Sequence, residues 1–186
     1  MISFESSAFV CLVLINLIGI ILCFVIHLNP RLKKKFLKMP KPFQKADVLI
    51  FFGAPILVLP LLPQPRFELD YIIFIIGIIL ALLSTLIWIL AFKEIGIIPA
   101  VKQKSKLISS GIYRIVRHPL YLGSILMPLG LALAFRAVYA LLYAPVIIIF
   151  FILTTFIEEK TLTEEYGEEY IKYKNKVKWR LIPWVI

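Results

Sequence analysis

The chain has 186 residues, 61% of them hydrophobic, and a mean hydropathy of +0.93. A soluble domain of this size has no interior large enough for that much apolar surface, so composition excludes a soluble enzyme and points to an integral membrane protein. The net charge of +10 reads as membrane orientation and attraction to anionic phospholipid headgroups, not as nucleic-acid binding, because the basic residues flank apolar segments instead of forming a soluble face.

Five apolar segments follow in chain order, and they predict an all-α, polytopic membrane helix bundle. The first, about Ala8 to Leu28, is long enough to cross a bilayer as a helix. It has no basic leader and no small-residue cleavage site, so it reads as a retained span. Cys11 and Cys23 lie in it too far apart along a helix to bond, and two Cys with two His supply no zinc-type cluster; no metal is expected. The second segment, about Val48 to Leu62, is short and interrupted by Pro55 and Pro60, which predicts a kinked or tilted span. The third, about Leu69 to Phe92, is long and uninterrupted. The fourth runs from Pro119 to about Phe135 and the fifth from about Val138 to Ile157. Only Arg136 and Ala137 separate these two, which predicts a tight helical hairpin.

Basic residues set the orientation. Arg31 to Lys45 holds seven Lys or Arg and no acid, Lys93 to His118 holds six, and the tail after Ile157 holds another six. Arg66 and Arg136 are left for the opposite side. With five spans the three basic groups fall on one face, which predicts a cytoplasmic C-terminus and an N-terminus outside. In the tail, Leu162, Tyr166, Tyr170, Tyr173 and Val177 recur at three- to four-residue spacing. That predicts an amphipathic cytoplasmic helix folded under the bundle.

The polar exception in this chain is GIYRIVRHPLYLG, Gly111 to Gly123. Pro119 has a fixed φ and no N–H, which suits the first turn of the fourth helix. A helix N-terminus at His118-Pro119 offers backbone N–H groups and partial positive charge to an anion, and Arg117 adds a full charge. A plainer reading has Arg117 snorkelling to lipid phosphate and His118 capping the helix. The fifth segment ends at Glu158-Glu159. An antiparallel hairpin of these lengths brings Arg117, His118, Glu158 and Glu159 together at one membrane boundary. Such a corner either pins the hairpin as an ion pair or holds a zwitterionic ligand, whose carboxylate suits the helix end and whose amine or sulfonium suits a glutamate. Tyr113 and Tyr121 then pack on a purine or sulfonium, or serve only as interface anchors.

The run KLISSGIYRIVRHPLYLG, Lys106 to Gly123, followed by the spaced Glu158-Glu159, YGEEYIKY and WRLIP, resembles the isoprenylcysteine carboxyl methyltransferase and phospholipid methyltransferase superfamily of membrane enzymes. The resemblance covers about Lys106 to Pro183. It implies S-adenosylmethionine as methyl donor, contacted by Ser105, Lys106, Leu107, Ile108, Tyr113, His118, Pro119, Leu120, Tyr121 and Glu158. It implies a lipid or lipidated acceptor entering from the bilayer. On this reading the chain, 1–186, is a single membrane domain, with three spans in 1–92 and the cofactor loop, hairpin and tail in 93–186. Arg117, His118 and Glu158 become the candidate catalytic residues, with Glu159 and Thr154 on the acceptor side. Thr154 stands where the isoprenylcysteine branch carries an Arg one helical turn before the first Glu. That departure shifts the expected acceptor from a prenylcysteine carboxylate toward a phospholipid amine. Two other readings remain open at this point. One is an NADPH-dependent reductase of the sterol-reductase type, which shares a Gly…RH…YLG stretch. The other is a non-catalytic scaffold with a lipid-binding basic face.

Overall fold

The computed structural model describes residues 4–40, 57–95, 107–183 and 185. Among them the regular structure is helical: α1 (Phe4–Leu28), α2 (Pro30–Leu37), α3 (Tyr71–Ile95), α4 (Pro119–Ala134), α5 (Val138–Tyr166) and α6 (Glu168–Lys176), with short 3₁₀ turns at Leu59–Leu61 and Gly111–Arg114. Among the described residues three helical stretches are long and apolar enough to cross a membrane: Ser7–Ile26, Tyr71–Glu94 and Val138–Tyr166. α4 is apolar but has 16 residues, about 24 Å at 1.5 Å per residue, which is short of a hydrocarbon core of about 30 Å. The expected second span lies mostly outside the described residues. Its end is the turn at Leu59–Leu61.

Two of the helices start at side-chain caps. Asn29 accepts from the backbone N–H groups of Arg31 (3.0 Å) and Leu32 (3.3 Å), with Pro30 at the first position of α2. Asp70 does the same for α3, accepting from Ile72 (2.8 Å) and Ile73 (3.2 Å). Leu and Ile side chains of α3 remain largely exposed, Ile72 at 70% and Leu82 at 66%. A helix apolar on all sides with its aliphatic groups uncovered is built for a lipid surround.

The chain divides into two compact units, Met1–Ile78 with Gly130–Tyr143, and Ile79–Leu129 with Ala144–Ile186. In the first unit the turn between α4 and α5 is closed by a left-handed residue, Arg136 at φ 57°. Arg136 N–H donates to Leu133 O and Ala137 N–H to Ala132 O, so two carbonyls of the last turn of α4 are satisfied. Arg66 reinforces this turn, donating to the carbonyls of Phe135 (2.7 Å), Pro60 (2.9 Å) and Leu62 (2.9 Å). Tyr143 donates to Asn16 Oδ1 at 2.8 Å, a buried polar contact between α1 and α5.

In the second unit α3 meets α4 at Gly123. A Cβ there would lie 2.5 Å from the Trp88 ring, so only glycine admits this approach. Trp88 Nε1 then donates to Leu120 O (3.2 Å), and Ser84 to Gly123 O (2.8 Å). These contacts fix the first turns of α4, where the polar motif begins.

The tail departs from the expectation of one amphipathic helix. α5 continues past the apolar stretch to Tyr166, Gly167 breaks the path at φ 54°, and α6 begins at Glu168. Leu162 and Tyr166 therefore belong to the extended fifth helix. The predicted apolar face still forms: Tyr170, Tyr173 and Val177 are buried together, with Leu107, Leu162 and Tyr166 packed against them.

Candidate active site

The motif arrives at the site through a compact turn. Tyr113 N–H donates to Ser110 O, and Ile115 N–H to Ile112 O. Ser110 Oγ is hydrogen-bonded to Glu94, which ties the turn to the end of α3. Tyr113 is buried, and its carbonyl accepts from the hydroxyl of Tyr173 at 2.8 Å. Burial, followed by the nearby Glu158 charge, pushes the Tyr113 phenol well above its usual pKa, so it stays neutral.

Next come Arg117 and His118, both buried. Their backbone N–H groups donate to Trp179 O (2.9 Å) and Arg180 O (3.0 Å). The C-terminal segment thus runs along the motif and satisfies two amides that precede a helix starting with proline. The Arg117 guanidinium reinforces the same docking. Its Nη1 donates to the carbonyls of Val177 and Lys178, each at 2.7 Å, and its Nε to Glu159 Oε1 at 2.8 Å.

The two adjacent glutamates have different environments. Glu159 is buried, and Arg180 grips both its oxygens, Nε to Oε1 at 3.1 Å and Nη2 to Oε2 at 2.9 Å. Lys174 Nζ lies 3.5 Å from Oε2. The Arg180 guanidinium also sits 3.7 Å from the centroid of the Phe156 ring. The Glu158 side chain is 41% exposed, and its Oε2 lies 3.5 Å from His118 Nδ1. One carboxylate is a fixed structural charge and the other opens outward.

His118 lies between them. Its Nε2 is 3.4 Å from Glu159 Oε1 but has no aligned hydrogen bond. The Tyr121 ring stacks on the imidazole at 5.7 Å between centroids and 11° between planes. Burial opposes a charge on His118, yet Glu158 and Glu159 together outweigh it and hold its pKa above the usual value. A second buried polar atom without a partner is the hydroxyl of Tyr170. Its ionisation is opposed by burial and then by the Glu159 charge, which places it in the field of this corner. Among the described residues these two atoms are the buried side-chain donors or acceptors left unsatisfied, and such atoms ordinarily mark a water or ligand position.

The hairpin thus brings together the four residues that sequence spacing groups, Arg117, His118, Glu158 and Glu159. Pro119 is buried at the first position of α4, and Leu120 and Tyr121 follow in its first turn, half-buried. Leu107 and Ile108 are half-buried, Leu107 against the tyrosine cluster. Ser105 and Lys106 lie outside the described residues. Thr154 donates its hydroxyl to Phe150 O one turn back on its own helix (2.8 Å). Sequence reasoning did not single out Arg180, Lys174 or the hydroxyl of Tyr170. The run WRLIP contains Arg180, but no spacing rule pairs a tail arginine with a glutamate on another helix.

Comparison with known proteins follows the same residues. The profile of the family described as phospholipid methyltransferase matches residues 72–169, just over half of the chain. That range includes the motif and both glutamates, and ends before Tyr170, Tyr173 and Arg180. Over 73 residues the chain is 38% identical to methanethiol S-methyltransferase 1 of Bradyrhizobium diazoefficiens. The aligned stretch is 39% of this chain and 25% of that protein, so the chain spans about a quarter of the length of the relative it matches.

Proposed function

The chain belongs to the phospholipid methyltransferase family, and from that premise we propose that it transfers a methyl group from S-adenosylmethionine to a lipid or lipid-like acceptor. The methyltransferase assignment and the membrane location follow from the family and from the three long apolar helices. The family assignment favours methyl transfer over the reductase and scaffold readings. The donor, the acceptor and the orientation are the proposal.

The observation that carries it is the asymmetry of the glutamates. Glu159 is neutralised by arginines, whereas Glu158 is half-open beside His118. A zwitterionic donor with an amine needs a carboxylate that it can reach from outside, and Glu158, with its side chain 41% exposed, is reachable. The buried unpartnered atoms, His118 Nε2 and Tyr170 Oη, are polar positions that such a ligand, or water beside it, would satisfy. Leu107, Ile108, Tyr113, His118, Pro119, Leu120 and Tyr121 form its apolar and aromatic wall; Ser105 and Lys106, which the resemblance adds to the donor contacts, lie outside the described residues. When bound, S-adenosylmethionine supplies a methyl group activated by a sulfonium, whose charge disappears as the methyl leaves.

The protein's part is to align, exclude water and handle a proton. Thr154 uses its hydroxyl on its own helix, and Arg117, Arg180 and Lys174 face Glu159. This supports an acceptor that needs no cation, a neutral amine in preference to a carboxylate. An amine must be unprotonated to attack, and the Glu158–His118 pair is placed to accept its proton. Arg117 acts as a positioning residue, holding Glu159 and the tail. The distribution of basic segments supports a cytoplasmic position for this corner, beside anionic headgroups, with the N-terminus outside.

The test is direct. The purified protein is incubated with methyl-labelled S-adenosylmethionine and phosphatidylethanolamine, prenylcysteine or small thiols, and the labelled product is identified. Calorimetry on Glu158→Ala should show loss of donor binding. Unchanged affinity in that variant would remove the donor assignment, and label on the prenylcysteine alone would overturn the amine acceptor.

A further inference from the structure

Glu159 has more positive charge around it than one carboxylate needs. Arg117 Nε at 2.8 Å and Arg180 Nη2 at 2.9 Å would each balance it, and Lys174 Nζ adds a third cation at 3.5 Å. Arg117 is bound in the motif itself and also clamps the tail backbone. Arg180 and Lys174 come from the tail, so their charge is present only when the tail is docked.

The group that responds to this balance is His118. Glu158 faces its Nδ1 at 3.5 Å and Glu159 its Nε2 at 3.4 Å. Tyr121 covers the ring, and Tyr170 lies in the field of Glu159. Two carboxylates on one buried imidazole favour the protonated form, while arginine charge next to one of them opposes it. A permanently protonated His118 is of no use as a proton acceptor. We infer that Arg180, with Lys174 in support, is a positioning residue through which the docked tail offsets the charge of Glu159, so that His118 gives up its proton more readily than beside two uncompensated carboxylates. The consequence for catalysis rests on the methyl-transfer reading; the electrostatic relation does not.

The experiment is a histidine titration by NMR on the full chain in micelles, with labelled histidine. The chain has two histidines, His27 in α1 and His118, and His118→Gln assigns the signals. Arg180→Gln should raise the His118 midpoint by about one pH unit, with His27 unmoved. Arg180→Lys, which keeps the charge, should stay within about 0.3 units of wild type. Lys174→Gln, at an exposed position, should shift His118 in the same direction by a smaller amount, and it carries the test if Arg180→Gln does not fold. A His118 midpoint that is unchanged or lowered in the glutamine variants overturns the inference, as does an equal shift in Arg180→Lys. A purely structural Arg180 would lower thermal stability and leave the titration in place. Failure of the methyl-transfer reading would appear as absent donor binding with this titration intact, so the two failures are separable.

Discussion

Tyr173 and Tyr113 stand 60 residues apart in sequence, yet the hydroxyl of Tyr173 donates to the backbone carbonyl of Tyr113 at 2.8 Å, with both residues buried. This bond joins α6 to the turn that carries the polar motif. Tyr173→Phe keeps the ring in its cluster but leaves a buried carbonyl without its donor. The expected cost is about 1–3 kcal/mol, read as a lower thermal midpoint in detergent. Donor affinity should weaken with it, because the turn holding Tyr113 is no longer pinned. An unchanged midpoint would mean that water replaces the hydroxyl without loss.

The adjacent glutamates are expected to separate by phenotype. Glu159→Gln leaves the buried Arg117 and the partly covered Arg180 around a neutral group, and breaking a buried pair in this way costs about 3–5 kcal/mol. The variant should express poorly or unfold well below wild type. Glu158→Gln, at a half-exposed position, should lower the thermal midpoint far less than Glu159→Gln does while losing donor binding. Thermal unfolding and calorimetry on the pair decide it. Equal stability losses in both would contradict the division of roles.

Much of this corner was legible in the sequence because helix geometry is regular. A proline at the first turn, a two-residue turn between apolar segments and a glutamate pair at the far end suffice to place His118 beside Glu158. The tail was legible only in part. Its three- to four-residue spacing identified Tyr170, Tyr173 and Val177 as one face, but that spacing also fits a single helix. The break depends on Gly167 taking a positive φ, which an isolated glycine does not announce. Arg180 was not legible because its partner is set by how an irregular segment docks. Backbone bonds from Arg117 and His118 to Trp179 and Arg180 decide that docking, and side-chain periodicity carries no record of them.

The approach of α3 to α4 gives a steric test. In Gly123→Ala the new Cβ would lie 2.5 Å from Cδ1 and Nε1 of Trp88. The indole has to move, and its bond to Leu120 O at 3.2 Å goes with it. Overpacking of this kind costs about 1–3 kcal/mol. The midpoint should fall, and donor affinity should fall as well, since Leu120 belongs to the first turn of α4. Trimming the indole in Gly123→Ala with Trp88→Leu should recover part of the midpoint but not the bond. No recovery would point to a cause other than the clash.

The dependence of stability on pH follows from His118. Its folded pKa is raised above the value of about 6.5 expected in the unfolded chain. Below that unfolded value the imidazole is protonated in both states, and its attraction to Glu158 and Glu159 stabilises the fold in full. As pH climbs from about 6.5 through the raised folded value, the proton leaves and that contribution is lost. His118→Gln removes it at every pH. The stability gap between wild type and His118→Gln should therefore be widest below about pH 6.5 and narrow steadily toward alkaline pH, measured by thermal unfolding in one detergent at constant ionic strength. Adding salt should narrow the gap only in part, because it screens the half-exposed Glu158 but reaches the buried Glu159 poorly. A gap that widens with pH would mean that the neutral imidazole is the stabilising form, and the two carboxylates would then not govern its charge.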